Sequence, residues 1–342
     1  MHIFLWFAGS AAALISVGFL YQYIGGHCDR LRFAGSGRWV TIGRKCKLYL
    51  LEKGSGGPTV LFEAGIAATN LNWFHVQESV SRFTGTASYD RCGLGWSSPC
   101  RSARTPGNIA VELHDLLENA DIKPPYILVG HSFGGLVMRR FALLYPEDVQ
   151  GILLVDPMRC EEWPPLNPSK QSELDLGSKL SRFAIPIARF GLARLAVTSL
   201  LCRSGRLSGK LAGAVGAGGR HVPGRVTEEV RKMPREIWPS IAAHWSRPGY
   251  YRGMCSHVEA VPDTVKEMQA AGPIHDIPVL VLTPGNSTPL SVERLDSIGD
   301  NVQQVIAEAS AHWIHLDEPD LVIDSIRELV TAAIAEPVAA TG

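Results

Sequence analysis

Along most of the chain, short apolar runs alternate with stretches of helical spacing. Thr59 to Phe62, Thr86 to Tyr89, Tyr126 to Val129, Ile152 to Val155, Pro278 to Thr283 and Val302 to Ile306 are short apolar runs between turn signals, and they read as strands. Trp73 to Phe83, Asn108 to Asn119, Leu136 to Leu144, Ser291 to Ile298 and Pro319 to Ala335 read as helices. In the second of these, Ile109, Leu113, Leu116 and Leu117 share a face. Ahead of them, Trp39 to Ile42 and Lys45 to Glu52 flank an Ile-Gly-Arg turn and predict an antiparallel hairpin. Strands alternating with helices imply an α/β fold with a mostly parallel sheet.

The alternation stops after Asp156. From Pro157 to about Asp276 there are many prolines and helix-like runs but no convincing strand, and Pro278 restarts the pattern. An insertion there predicts a helical cap over the strand carboxyl ends, where open α/β sheets bind ligands. The expected organisation is an anchor over residues 1–28, a core over 38–156 and 277–336, and a cap over 157–276. Ile3 to Ile24 carries no charge and is long enough for a bilayer of about 30 Å. No Lys or Arg precedes Arg30, so a cleaved signal peptide fits less well than an N-terminal transmembrane helix. Trp6, Tyr21 and Tyr23 suit the membrane interface. Arg30, Arg32, Arg38, Arg44 and Lys45 follow, which by the positive-inside rule puts the remainder on the cytoplasmic side.

Composition narrows the classes. The 342 residues are 46% hydrophobic with a formal net charge of zero, so there is no basic excess and no nucleic-acid partner is expected. None of the 7 cysteines forms a C-x-x-C pair, which excludes a zinc ribbon or thioredoxin motif, and only Cys92 and Cys100 are close enough to suggest a local bridge. No metal, flavin or nucleotide motif is present, so no cofactor is expected.

The strongest chemical signal is Gly130-His-Ser-Phe-Gly134, between a strand and a helix. This context makes Ser132 a candidate nucleophile on a sharp turn, with glycines where strand and helix close on each other. The backbone N–H of Phe133, at the helix start, can then face a developing oxyanion.

Phe62-Glu-Ala-Gly65, Ser88-Tyr-Asp-Arg-Cys-Gly-Leu-Gly-Trp-Ser97, Gly130-His-Ser-Phe-Gly-Gly135, Leu154-Val-Asp156 and the late Ala311-His312 occur in this order. From about residue 38 to 335 the chain thereby resembles the α/β-hydrolase superfamily, and looks most like its bacterial, membrane-anchored, cap-bearing members. That resemblance implies an α/β-hydrolase fold with a bacterial inner-membrane location. It also implies a Ser-Asp-His triad in chain order. His312 is the candidate base, with His315 as rival; His131 would help shape the turn. His244 or His257 could line the pocket, and the remaining histidines read as surface or cap residues. The acid departs from the commoner pattern, because the loop Pro284-Gly-Asn-Ser-Thr-Pro289 has no carboxylate. Asp156, ending the strand after the turn, is the alternative; Asp296 and Asp300 sit in helix-like sequence. The second oxyanion donor would be the Ile66 N–H. Glu63 replaces a histidine common in relatives and would anchor its loop, while Asp90 and Arg91 would hold the glycine-rich turn.

Between Leu176 and Thr227 there is no Asp or Glu, but there are nine basic residues (Lys179, Arg182, Arg189, Arg194, Arg203, Arg206, Lys210, Arg220 and Arg225) amid apolar ones. This suits either an anionic lipid surface or an ordinary solvated lid. Pro186 argues against one continuous helix there. The reading is a serine hydrolase acting on a small-molecule ester or lipid-like substrate, without metal. An amide or carbon–carbon bond hydrolase and a non-catalytic binding protein are the alternatives. A serine at this turn disfavours dehalogenase and epoxide-hydrolase chemistry, for which the superfamily uses an aspartate.

Overall fold

The computed structural model describes residues 2–160, 168–202 and 229–335. Eight strands, β1 (Arg38–Ile42), β2 (Cys46–Lys53), β3 (Thr59–Glu63), β4 (Thr86–Asp90), β5 (Tyr126–His131), β6 (Val149–Val155), β7 (Val279–Pro284) and β8 (Val302–Ala307), form one sheet. Their order is β1-β2-β4-β3-β5-β6-β7-β8. The hairpin β1–β2 is antiparallel and joins β4 antiparallel; all other pairs are parallel.

Burial follows from this arrangement. Strands β3, β5, β6 and β7 have helices on both faces, so they are mainly apolar runs rather than alternating ones. Along β5, β6 and β7 the side chains alternate between two cores. Leu128, Ile152, Leu154, Val279 and Val281 pack with helices Pro106–Ala120 and Phe133–Leu144. Ile127, Val129, Leu153, Val155, Leu280 and Leu282 pack with helices Phe74–Val80 and Pro319–Ala335. Edge strand β8 is only half-buried.

The strand order sets the place of the site. The chain runs from β3 to β4 on one side, then crosses back to β5 on the other side of β3. The loops leaving β3 and β5 therefore diverge and open a crevice at the strand carboxyl ends. Between β6 and β7 the described residues contain helices Pro168–Arg189, Leu192–Cys202, Trp238–Trp245, Pro248–Glu259 and Val261–Gln269 and no strand. They reach back to the crevice: Tyr250 Oη donates to the carbonyl of Ala67 at 3.2 Å, and Val261 and Val265 pack with Leu136 beside Ile66.

Most expected elements appear within a few residues of the sequence reading. The helix after β4 starts at Pro106, where a missing N–H is harmless. Pro186 lies inside helix Pro168–Arg189, and the chain breaks instead at Gly191, whose φ is +76°. Asp300 is not helical; helix Val292–Ile298 ends before it.

The N-terminal stretch requires a correction. Residues His2–Phe33 form a helix, but among the described residues no helix is long and apolar enough to cross a membrane. The expected single-pass span over 3–24, on which the orientation rests, is therefore not supported. The apolar run continues without a break into Gln22, His27 and Asp29, and this polar end docks on the protein. Gln22 is buried, donates to the Ser246 carbonyl at 3.0 Å and accepts from Arg194 at 3.1 Å; Arg194 also pairs with Asp29 at 2.6 Å. Arg182 is likewise engaged, by Glu259. Of the basic run, Arg203, Arg206, Lys210, Arg220 and Arg225 lie outside the described residues.

Central and peripheral positions should respond differently to truncation. Leu128→Ala, at a fully buried site, should lower unfolding stability by about 2–5 kcal/mol. Val292→Ala, 72% exposed, should stay within about 0.5 kcal/mol of the parent. Urea denaturation followed by circular dichroism measures both.

Candidate active site

β5 ends in Gly130-His131 and the next helix begins at Phe133, leaving Ser132 alone to reverse the chain. Its backbone is in a left-handed conformation, φ +53° and ψ −118°. A non-glycine residue persists there only where its surroundings over-determine it. Here the Ser132 N–H donates to the Val155 carbonyl at 3.0 Å, while its own carbonyl accepts from Gly135 and Met158 at 3.0 and 3.1 Å. The turn also needs close backbone packing. A Cβ on Gly130 would lie 2.5 Å from the Gly134 carbonyl oxygen, and one on Gly134 would lie 2.4 Å from that of Glu63.

Asp156 follows β6 with φ +39° and is tied by its N–H to the Leu282 carbonyl at 2.9 Å. Its Oδ2 lies 2.6 Å from Nδ1 of His312, across the loop after β8. That loop is braced on both sides. Glu318 Oε1 accepts from Ala309 N–H at 3.0 Å and Ser310 Oγ at 2.6 Å, and Asp317 accepts from Ala311 N–H at 3.3 Å. Nε2 of His131 is 2.9 Å from the His312 carbonyl, so its N–H donates there. Burial, together with His315 and His312, holds His131 well below the usual imidazole value, which keeps it neutral.

The rivals for base and acid are placed elsewhere. His315 is buried against Trp73, with ring centroids 4.7 Å apart, and burial pushes it down to about 3. Asp300 precedes β8, at the opposite end of the sheet from Ser132, where it takes His275 Nδ1 at 2.9 Å. Asp296 is on an exposed turn of helix Val292–Ile298.

The loop after β3 is held from beneath by Arg91. Nη1 donates to the Ala64 carbonyl at 3.1 Å and Nη2 to the Gly65 carbonyl. Arg91 also pairs with Glu63 at 3.4 Å, and Tyr89 Oη donates to Glu63. All three side chains are buried, and burial raises Glu63 and lowers Arg91, each opposed by the other's charge. Glu63 thus anchors its loop as expected, and Asp90 holds the glycine-rich turn by accepting from Asn70 and Trp96 N–H groups at 3.1 and 2.8 Å. Ile66 packs beside Phe133 and Val137.

Beside this lies a small cavity of about 30 Å³, walled by the loop after β3 and the inserted helices. Its lining includes Leu71, Val230, Met233, Trp245, Asn72 and Glu229, but not Ser132. Asn72 Nδ2 donates to Glu229, whose carboxyl burial raises above its ordinary value against the opposing pull of that bond and then of His312. His244 and His257 are buried rather than on the surface; His244 lines the cavity and His257 meets the Phe133 ring edge-on at 6.0 Å. Sequence reasoning missed the bracing by Asp317 and Glu318, the cavity pair Asn72–Glu229 and the carbonyl grip of Arg91. Only the Arg91 signal was present, in its adjacency to the glycine-rich turn.

A parallel sheet with a serine turn at its switch point defines a hydrolase-type α/β architecture. Residues 60–325 match the model of the alpha/beta hydrolase family, and the chain belongs to that family. Over 106 residues, 31% of this chain and 42% of the relative, it is 38% identical to the uncharacterized protein YqjL of Bacillus subtilis (strain 168). The match thus spans less than half of that relative's length. Among solved structures, the epoxide hydrolase CorEH superposes with a TM-score of 0.65 at 17% identity, covering 86% of this chain and 98% of that one. Cfl2 of Burkholderia cenocepacia superposes with a TM-score of 0.65 at 20% identity, covering 86% and 95%. At these identities the likeness concerns the fold.

The buried imidazoles carry a pH signature. His315 titrates near 3 when folded and near its ordinary 6.5 when unfolded. Between those values the unfolded chain binds more protons, so stability rises with pH, is complete above 6.5, and is lost as pH falls toward 3. His315→Phe should reduce the slope of unfolding free energy against pH by about one proton between pH 4 and 6. Urea titrations across that range test it; an unchanged slope would mean the ring is accessible to protons in the native state.

Proposed function

We propose that the protein is a serine hydrolase cleaving a carboxylic ester through an acyl-enzyme. The observation that carries this reading is the 2.6 Å contact between His312 Nδ1 and Asp156 Oδ2, joined through the His131–His312 hydrogen bond to the turn that holds Ser132 at positive φ. With its Nδ1–H donated to Asp156, the imidazole presents Nε2 as a base. Ser132 gives it a proton and attacks the carbonyl carbon. The backbone N–H groups of Phe133 and Ile66 stabilise the oxyanion. His312 returns the proton to the departing alkoxide, and water activated by the same ring releases the acid. Asp156 orients the ring and stabilises its charged form without taking the proton.

The inserted helices act as a cap over this crevice. A lipid-like ester is the favoured substrate class, because apolar side chains, Leu71, Val230, Met233 and Trp245, gather between the loop after β3 and the inserted helices. Ester cleavage is favoured over amide or carbon–carbon cleavage because an alkoxide leaves more easily. Epoxide hydrolysis, named for CorEH, is disfavoured because a serine stands where that chemistry uses an aspartate. A non-catalytic binding protein would have no use for the aligned carboxylate and imidazole.

A fluorophosphonate should label the parent chain and leave Ser132→Ala unlabelled; equal labelling of both would remove Ser132. On a short p-nitrophenyl ester, Asp156→Asn should lower kcat by roughly 10⁴ with KM little changed. Asp296→Asn and Asp300→Asn should keep near-parental kcat. A folded Asp156→Asn with near-parental turnover would assign the acid elsewhere.

A further inference from the structure

Three thiols outside the candidate active site converge. Cys46 opens β2 and Cys92 follows β4; the antiparallel register Tyr49↔Asp90 brings these two ends together. Their Sγ atoms are 2.9 Å apart, inside the roughly 3.5–4.0 Å of ordinary heavy-atom contact. The Cys92 and Cys100 sulfurs and a Glu112 carboxylate oxygen all lie within 4.8 Å of one another. Cys100 Sγ accepts from Arg104 Nη1 at 2.8 Å and meets Ser102 Oγ at 3.3 Å. Arg104 also donates to Glu112 Oε2 at 2.8 Å.

The three sulfurs differ in ways that suit different tasks. Cys92 is buried, whereas Cys46 and Cys100 are partly exposed. Hydrogen bonding with Cys100 and Cys46, and then burial, raises the Cys92 thiol. Cys100 is pushed down to about 7, by the bond from Cys92 first and with help from Ser102 and Arg104. Cys46 is lowered by its bond from Cys92. An exposed thiolate beside a guanidinium is the form that attacks an electrophile, and a buried thiol next to it is placed to resolve the product.

We propose that Cys46, Cys92 and Cys100 form a hydroperoxide-oxidised thiol relay, in which Cys100 is oxidised first and a Cys46–Cys92 bridge is the product. The Cys100 thiolate attacks the distal oxygen of a hydroperoxide, giving a sulfenic acid and an alkoxide or hydroxide that takes up a proton. Cys92 loses its proton and attacks the Cys100 sulfur, forming Cys92–Cys100 and releasing water. The Cys46 thiolate then attacks Cys92 Sγ, forming Cys46–Cys92 and returning Cys100 as a thiolate. In sum, one hydroperoxide and two thiols give one disulfide, one alcohol or water, and one further water.

The same atoms could hold a soft metal ion. Arg104 argues against that use. Its side chain is 2% exposed, permanently charged, and already donates to Cys100 and Glu112, two of the three would-be ligands.

The test uses the reduced, metal-free full chain titrated with hydrogen peroxide and followed by intact mass and peptide mapping. The expected product has lost two thiols and two hydrogens and yields a linked Cys46–Cys92 peptide, restored by a dithiol. Cys100→Ser should slow bridging by about tenfold or more, while Cys28→Ser, at an exposed site, should leave the rate unchanged. Cys46→Ser should stop at a Cys92–Cys100 peptide. In Cys92→Ala, dimedone should trap a sulfenic acid on Cys100. The proposal is overturned if Cys100→Ser bridges at the parental rate, or if dimedone marks no Cys100 in Cys92→Ala. Stoichiometric zinc uptake that protects Cys92 and Cys100 from peroxide would also overturn it, by identifying a metal site.

Discussion

The structure depends on how closely the backbone leaving β5 approaches the backbone leaving β3. With no side chain on Gly130 or Gly134, the helix after Ser132 presses against the carbonyls of Glu63 and Ala64. That contact forces Ser132 into its left-handed turn and puts the β3 loop beside it. The cost of such a conformation, of order 1–3 kcal/mol, is offset by the three backbone bonds that Ser132 makes to β6, to its own helix and to Met158 beyond β6. The site is therefore a consequence of sheet order and close packing rather than of loop sequence alone.

Buried polar groups make the surroundings rigid. Arg91 holds two carbonyls of the β3 loop and is balanced by Glu63, which in turn takes a hydrogen bond from Tyr89. Each group would be expensive to bury alone and is tolerable only in company. His131 does similar work on the other side, tying the Ser132 turn to the backbone of His312. Ser132, His312 and Asp156 each follow a different strand, and a neutral or paired buried group fastens their loops to one another.

Much of this was legible from residue order. The apolar runs located the central parallel strands, because strands covered on both faces have little polar alternation to obscure them, while β1 and β2 were legible from the turn between them. The glycine pair around Ser132 and the absence of a carboxylate in 284–289 pointed to Ser132 and Asp156 before any geometry. What stayed hidden was long-range. The choice between His312 and His315, three positions apart, depends on which ring faces Asp156 and which is enclosed by Trp73. The uncharged N-terminal run looked like a membrane span because nothing local reveals that Arg194 and Ser246 receive its polar end. The thiol cluster joins positions 46, 92 and 100 through strand register, which spacing alone does not encode.

The central claim is that Ser132 becomes covalently acylated. The direct measurement is rapid mixing of the full chain with a p-nitrophenyl ester, acid quench, and mapping of the peptides by mass. The account predicts a burst of p-nitrophenol approaching one equivalent per chain and an acyl group on the peptide containing Ser132, both absent in His312→Gln. Turnover without acylation of that peptide, or an acyl group on another side chain that turns over at the steady-state rate, would contradict it.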